Sequence, residues 1–165
     1  MACEFDKIDT EQGYWLLRQK AAVLNTGEYP LQFEGPDAER LLDLLFTKDF
    51  TKLKPGRCGY GIPCYADGGM STAGVGLRLA NDLFWYAQAD GDFYSWARSH
   101  ARGMNVTISD PDIYVSQVQG PLSMKVLEAA SDDGIPKPFG YFVIARVSLG
   151  GQEVVIGRTG YNNEL

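Results

Sequence analysis

The sequence has few of the residues from which metal centres and histidine-based catalytic sites are built. It contains one histidine and three cysteines, Cys3, Cys58 and Cys64, without paired C-x-x-C spacing. A structural zinc site needs thiolate or imidazole ligands at short intervals, and a Ser-His-Asp or Cys-His pair needs a histidine beside its nucleophile. We therefore expect no metal site, reduced thiols and a partly buried structural role for His100.

Signatures of common nucleotide-dependent and hydrolytic enzymes are also missing. There is no Walker phosphate loop, no G-x-S-x-G elbow and no G-x-G-x-x-G after a strand. Lys and Arg number 15 against 21 Asp and Glu, and no cluster of basic residues stands out, so we expect no nucleic-acid partner. The apolar runs are shorter than the roughly 18 residues of a membrane span, and the N-terminus is acidic where a signal peptide is basic. These absences predict a cytoplasmic protein without a membrane partner.

Hydrophobic periodicity predicts an α+β fold, a mainly antiparallel sheet with flanking helices. One helix is predicted from Thr10 to Lys20, with Thr10 as its N-cap. A second has Pro36 in its first turn, and a third follows Asp92 as its N-cap. The second has four leucines as its predicted buried stripe, Leu41, Leu42, Leu44 and Leu45.

Alternating apolar residues and turn dipeptides predict the strands. The predicted strands are Ala22 to Leu24, Leu31 to Glu34, Val75 to Ala80, Leu83 to Ala87, Phe142 to Leu149 and Glu153 to Arg158. Asn81-Asp82 and Gly150-Gly151 are the turns of two predicted hairpins.

A strand, a Gly-Pro corner and a helix occur twice. Gly35-Pro36 is followed by a leucine-rich helix, and Gly120-Pro121 stands in the same pattern 85 residues later, with Leu127 at the position of Leu42. A repeated β-α unit predicts two copies about a pseudo-symmetric sheet, with ferredoxin-like elements. Coincidence is the alternative, since Gly-Pro is a common turn dipeptide.

Two segments combine residues suited to ligand binding. Tyr60 to Gly69 places aromatic residues before an Asp-Gly-Gly turn, where glycine lets a ligand approach the backbone. Arg158 to Glu164 joins a cation, an aromatic ring and a carboxylate, which can accept two parallel hydrogen bonds from a planar amidine-like edge. An ordinary hairpin and a solvated loop are the alternatives. Because the second segment ends at Leu165, we interpret the chain as the front part of a longer protein.

Over residues 14 to 165 these motifs, in this order, resemble the glycine-cleavage T-protein (aminomethyltransferase) superfamily, which includes tetrahydrofolate-dependent demethylases such as the dimethylsulfoniopropionate demethylases. The matching motifs are Gly35-Pro36-Asp37-Ala38, Leu53-Lys54-Pro55-Gly56 with Tyr60, Asp67-Gly68-Gly69, Gln119-Gly120-Pro121 and Arg158-Thr159-Gly160-Tyr161 through Glu164.

The resemblance implies a folate-binding T-protein fold and transfer of a methyl or aminomethyl group from a small donor to tetrahydrofolate. It implies that Glu164 holds the pterin, with Tyr161 and Tyr60 nearby. Residues 1–165 would be the N-terminal folate-binding region, with a C-terminal barrel beyond it. One arrangement that the repeat allows is two interleaved lobes, residues 1–30 with 111–165 and residues 31–110.

Two departures qualify this reading. The aminomethyltransferases carry an aspartate pair where ungapped counting places Thr72 and Ala73, and the loss of a carboxylate favours a sulfonium or methyl-ether donor over an amine. Asn162-Asn163 stands where Thr-Gly is usual. The alternatives are an amine-type folate lobe, a non-enzymatic folate-binding protein and an inactive fragment. An apolar surface left exposed would favour a homo-oligomer.

Overall fold

The structure of the protein is a computed structural model that describes residues 9–160. These residues form four helices and nine strands. The helices are α1 (Thr10–Gln19), α2 (Ala38–Leu45), α3 (Phe93–His100) and α4 (Ser123–Ala130), with a 3₁₀ turn at Phe50–Lys52. The strands are β1 (Ala22–Asn25), β2 (Tyr29–Glu34), β3 (Arg57–Gly61), β4 (Gly74–Arg78), β5 (Leu83–Gln88), β6 (Thr107–Ser109), β7 (Ser116–Gln119), β8 (Ile144–Leu149) and β9 (Gln152–Gly157).

The strands form one large sheet and two small ones. The large sheet has the order β3-β4-β5-β2-β6, and β1 pairs with β7 and β8 with β9. Every one of these pairings is antiparallel, which confirms the predicted α+β class. Within residues 9–160, no helix has both the length and the apolar character that a membrane span requires.

The repeated β-α unit is confirmed. The helices α2 and α4 each have eight residues and begin 85 positions apart. Gly35 and Gly120 precede them with φ of 132° and 115°, a conformation that glycine adopts without a steric penalty. In both units the helix opens with the same hydrogen bond, from the Ala38 or Ser123 amide to the glycine carbonyl at 3.0 Å.

Each unit receives a helix and a strand from elsewhere in the chain. The pair α3–β6 docks on β2, and α1–β1, whose strand begins 85 residues before β6, docks on β7 in the same register. A Cβ atom on Gly35 would lie 2.5 Å from the Asn105 carbonyl oxygen, and one on Gly120 would lie 2.6 Å from that of Lys20. The absence of a side chain at Gly35 and Gly120 therefore allows equivalent segments, at Asn105 and at Lys20, to pack against the two glycines.

The loops after α2 and α4 also correspond. In the first unit the Arg57 amide donates to the Lys54 carbonyl at 3.1 Å, and in the second the Val143 amide donates to the Gly140 carbonyl at 3.2 Å. The third residue of each turn has positive φ, 80° at Gly56 and 56° at Phe142. Phe142 thus occupies a turn position that usually takes glycine.

These two turns join the units. The Cys58 amide donates to the Phe142 carbonyl at 3.0 Å, and the Ile144 amide donates to the Gly56 carbonyl at 3.0 Å. The start of β8 therefore extends the large sheet at its β3 edge.

The main core lies between α2, α3 and the large sheet. Aromatic rings dominate it, with Phe46 at 4.8 Å from Tyr86 and 5.3 Å from Phe93, centroid to centroid. Its buried members are Leu31, Phe33, Ala38, Leu41, Leu42, Leu45, Phe46, Phe50, Leu53, Phe84, Tyr86, Phe93 and Ala97. Burying this apolar area is the main source of stability for the first unit.

The second unit has a smaller core. Ile135, Phe139 and Val147 form it, with Met124 and Leu127 of α4 packed against it. Within residues 9–160 the second unit has no counterpart of β5, the strand that brings Phe84 and Tyr86 to the first core. As a result Ser123 is the buried residue of α4, whereas α2 buries four residues.

Three local predictions about helices were wrong. Asp9, not Thr10, caps α1, because its extended backbone lets its Oδ1 accept a hydrogen bond from the Gln12 amide at 2.9 Å. Leu44 is 60% exposed, since it points away from the sheet that buries its three neighbours. Pro36 lies in the turn before α2.

Candidate functional site

The strand β3 presents Tyr60 on the sheet face opposite the aromatic core. A Cβ atom on Gly61 would lie 2.8 Å from the Phe46 ring, and one on Gly59 would lie 2.8 Å from the Lys48 side chain. The core side of β3 is therefore closed to larger residues. Because side chains alternate along a strand, Tyr60 points the other way, and it is 53% exposed. Its ring is available for stacking against a flat ligand.

The hydroxyl of Tyr86 lies near this strand. It donates a hydrogen bond to the Gly61 carbonyl at 3.1 Å. Burial raises the pKa of Tyr86 above its usual value, and the nearby Tyr60 raises it further. Tyr86 therefore remains a neutral donor that fixes the end of β3.

Arg158 is the first residue of the Arg158–Glu164 motif, and both its backbone and its side chain are anchored. Its amide donates to the Val143 carbonyl at 3.0 Å, and its Nη1 donates to the Phe139 carbonyl at 2.8 Å. Its Nε is buried and has no hydrogen-bond partner among residues 9–160. The predicted contacts Tyr161 and Glu164 lie outside the described residues.

The Asp67-Gly68-Gly69 turn is a short exposed hairpin. Asp67 Oδ1 accepts from the Gly69 amide at 2.9 Å, and the Tyr65 amide donates to the Gly69 carbonyl at 2.8 Å. Gly68 has a φ of 85°, which the turn requires. This geometry fits an ordinary hairpin, the alternative to a ligand-binding segment that the sequence left open.

The position where the resemblance places a carboxylate is buried. Thr72 is 3% exposed. Its hydroxyl, the Ser71 hydroxyl and Gln88 Oε1 are buried and have no hydrogen-bond partner within residues 9–160. The Ala89 amide donates to the Ala73 carbonyl at 3.1 Å, so Thr72 and Gln88 lie at the same end of the β4–β5 pair. Unpaired buried polar atoms are uncommon in folded proteins.

The sequence analysis did not predict a row of hydrogen-bonded polar side chains that joins two glutamines of β7 to Glu28. Gln117 Nε2 donates to Glu28 Oε1 at 2.8 Å, and Gln119 Nε2 donates to Gln117 Oε1 at 3.1 Å. Burial raises the pKa of Glu28, and the Gln117 hydrogen bond partly offsets the rise. The sequence signal was the Gln-x-Gln spacing, which puts both amides on one face of a strand.

The prediction that no basic cluster exists was wrong. Lys48, Lys52, Lys54 and Arg57 line one cleft, together with Asp49, Cys58 and Phe142. All four cations fall within ten residues of sequence. The 3₁₀ turn and the start of β3 bring them together, which composition alone does not show.

The remaining titratable candidates have structural environments. Burial raises the pKa of Cys58 to about 11, which keeps this thiol protonated near neutral pH. His100 Nδ1 lies 3.0 Å from the Trp96 carbonyl, and its ring is 4.1 Å from that of Trp96. Among residues 9–160, no three His, Cys, Asp or Glu side chains are placed to hold a metal ion.

Comparisons with known proteins agree on one family. Residues 5–165 match the family described as the GCVT N-terminal domain. A dimethylsulfoniopropionate demethylase of Ruegeria pomeroyi is 30% identical over 97% of this chain and 44% of its own length. An aminomethyltransferase of Thermotoga maritima is 28% identical over 86% of this chain and 40% of its own length. A trimethylamine-oxide aldolase of Ruegeria pomeroyi is 32% identical over 92% of this chain and 21% of its own length.

The fold has a solved counterpart. The crystal structure of the glycine cleavage system aminomethyltransferase T from Bartonella henselae superposes with a TM-score of 0.79 at 21% identity. The match covers 90% of this chain and 41% of that one. The chain spans less than half the length of these relatives.

Proposed function

This chain belongs to the GCVT N-terminal domain family, and from that membership we propose that it takes part in one-carbon transfer from a small donor to tetrahydrofolate. The observation that carries the proposal is the family match across residues 5–165. The expected T-protein fold supports it, since the superposition covers 90% of this chain. When bound, tetrahydrofolate supplies the N5 nitrogen that accepts the one-carbon unit.

The donor is a small molecule with a methyl or aminomethyl group on a sulfonium, nitrogen or oxygen atom. The names of the relatives include a sulfonium demethylase, aminomethyltransferases and an amine-oxide aldolase. Among these classes we favour the sulfonium. A sulfonium leaves as a neutral thioether and needs no general acid, so positioning beside the acceptor nitrogen can suffice.

The described residues fit one part of a folate. Tyr60 offers an exposed ring on a rigid strand, suited to stacking against a pterin or aminobenzoate ring. We propose that Glu164 accepts hydrogen bonds from the pterin edge and that Tyr161 lies beside it. Arg158, the first residue of the same motif, is anchored by its bonds to Val143 and Phe139.

Folate binding without transfer is the second candidate. Thr72 favours it, because a buried hydroxyl stands where the aminomethyltransferases carry a carboxylate. A threonine cannot hold a charge next to an amine donor, so amine chemistry loses a contribution of about a hundredfold. An inactive fragment is the limiting form of this candidate. The cytoplasmic location, the two interleaved lobes and a homo-oligomer stay predictions.

Calorimetric binding of a reduced folate tests the proposal. We expect micromolar binding that falls about tenfold, or roughly 1.4 kcal/mol, in Tyr60→Ala and in Glu164→Ala. Tyr114→Ala is the matched control, since this tyrosine is 93% exposed and lies on no strand. Absence of binding by the unsubstituted chain and by a full-length relative would overturn the folate assignment.

A transfer assay separates the two candidates. Sulfonium, ether and amine donors are incubated with the chain and a reduced folate, and the methylated folate is quantified. Turnover with the sulfonium above the amine supports the favoured donor. Binding without turnover supports the second candidate.

A further inference from the structure

We propose that the cleft formed within residues 48–59, together with Phe142, binds a small polyanion, a molecule with two or more phosphate or carboxylate groups. The cleft has a volume of about 710 Å³. Volumes of about 300–1,000 Å³ are typical of sites for small molecules. This proposal does not depend on the proposed function.

The local sequence places two of the cations at the ends of one turn. Pro55 and Gly56 are the central residues, and the φ of 80° at Gly56 fits the third position of a type II turn. The turn is closed by the hydrogen bond from the Arg57 amide to the Lys54 carbonyl at 3.1 Å. A β-turn keeps its first and last Cα atoms within about 7 Å, so Lys54 and Arg57 stay close together.

Lys48 occupies the space that a side chain at position 59 would fill. A Cβ atom on Gly59 would lie 2.8 Å from Lys48 Cε and 3.1 Å from its Nζ. The lysine stem therefore lies directly on the β3 backbone, and Lys48 is only partly exposed. Thr47, its neighbour, is tied to the Ile62 carbonyl through its amide at 3.0 Å.

The fourth cation is fixed by an ion pair. Lys52 Nζ lies 2.8 Å from Asp49 Oδ2, and Asp49 also caps the 3₁₀ turn. Within residues 9–160, Lys48, Lys54 and Arg57 have no ion pair or side-chain hydrogen bond. Three of the four cations that line the cleft are therefore unpaired within the part of the chain that the structure describes.

This charge runs against that of the rest of the chain. Residues 48–57 carry four cations and one acid, which leaves 11 Lys and Arg against 20 Asp and Glu elsewhere. A concentrated positive patch on an acidic protein attracts anions to that point and repels them elsewhere. A ligand with two or more anionic groups gains from several of the cations at once.

The cleft is distinct from the Tyr60 surface. Tyr60 does not line the cleft, and its side chain points to the face of β3 opposite that of Arg57 and Gly59, because side chains alternate along a strand. The far wall is Phe142, whose backbone bonds to Cys58 and Arg158 fix its position. The guanidinium of Arg57 can bind either a phosphate or a carboxylate with two parallel hydrogen bonds. The anionic groups of the ligand can therefore be of either kind.

Titration calorimetry with tripolyphosphate and with citrate tests the proposal at about 20 mM salt. We expect at least one of them to bind, with affinity that falls about fivefold or more in Lys48→Gln/Lys54→Gln. The matched control is Lys125→Gln/Lys137→Gln, which removes the same charge from the second unit and should change affinity less than twofold. Preference for tripolyphosphate or citrate identifies the phosphate or the carboxylate source.

Two binding results would overturn the proposal. One is no binding of either probe at about 10 mM, and the other is an equal loss in both double variants, which would indicate net charge alone. Thermal melts of the variants show whether they fold, and amide NMR shifts on addition of the probe should centre on Gly56 and Gly59. Shifts centred outside residues 48–59 would also contradict it.

Discussion

Leu42 and Leu127 occupy equivalent positions of α2 and α4, 85 residues apart, but only Leu42 is fully buried, at 1% exposure. The same leucine therefore has two environments. In the first unit β5 brings Phe84 and Tyr86 to the core that buries it. In the second unit the described residues include no such strand.

This difference predicts unequal costs for the same substitution. Leu42→Ala should destabilise by about 3 kcal/mol, within the usual range for a cavity in a packed core. Leu127→Ala should cost less than about half as much, because a partly exposed side chain loses less on truncation. Urea unfolding of both variants measures the two values, and equal losses would contradict the assigned burial.

A second prediction concerns the close approach at Gly120. Gly120→Ala should destabilise by about 3 kcal/mol or more, since its Cβ would lie 2.6 Å from the Lys20 carbonyl oxygen and 2.7 Å from that of Leu17. Gly134 is the control, with a φ of 83° and no atom within 4 Å of its Cβ. Gly134→Ala should cost only the backbone strain, about 1 kcal/mol. Thermal unfolding of both variants gives the comparison.

The polar row on β7 predicts an unusual dependence of stability on pH. The folded pKa of Glu28 is raised above 4.5, so the folded chain holds this proton more tightly than the unfolded chain. The contribution of Glu28 is fully present below about 4.5 and is lost as pH rises through the folded pKa. Glu28→Gln should therefore gain stability relative to the unsubstituted chain as pH rises above that value.

Gln117→Ala tests the same assignment from the other side. Its amide lowers the Glu28 pKa, so its removal should raise that pKa and shift the window to higher pH. Unfolding free energies measured from pH 3.5 to 8 show the pH range over which Glu28 affects stability. A difference in unfolding free energy between Glu28→Gln and the unsubstituted chain that does not change with pH would refute the assignment.

Thr72 provides a fourth prediction. Thr72→Val should be neutral or stabilise by up to about 1 kcal/mol, because it removes a buried hydroxyl without a partner among the described residues. Thr72→Asp should destabilise by about 3 kcal/mol or more at neutral pH, since it places an unpaired charge at a 3% exposed site. Denaturation at pH 4 and pH 7 checks it, and the Asp variant should recover in part at the lower pH.

Local signals carried the fold prediction. The corners at Gly35-Pro36 and Gly120-Pro121, the Asp92 cap and the Gly150-Gly151 hairpin are each written in a few adjacent residues, and the structure has all of them. Leu44 failed because helical spacing alone does not show which flank of a leucine-rich stripe faces the sheet. The prediction of Thr10 as the cap of α1 failed because two adjacent residues, Asp9 and Thr10, are both favoured at an N-cap, and the structure uses Asp9.

Less of the candidate site could be predicted from the sequence, because its contacts join residues that are far apart in the chain. Glu28 and Gln117 are 89 positions apart, and nothing near either residue indicates the other. The basic cleft has a local sequence, yet its far wall is Phe142, more than 80 residues away. Tyr60 was identified through the family resemblance, and its role stays a prediction.

The exchange of α1–β1 and α3–β6 between the two units bears on how the chain folds during synthesis. Among the described residues β1 pairs with β7 alone, so residues 22–25 have no strand partner until residue 119 has left the ribosome. At about 5–20 residues per second, that delay is on the order of 5 to 20 s. The first unit can close its own core in that time, while β1 remains without its partner strand and accessible to chaperones and proteases.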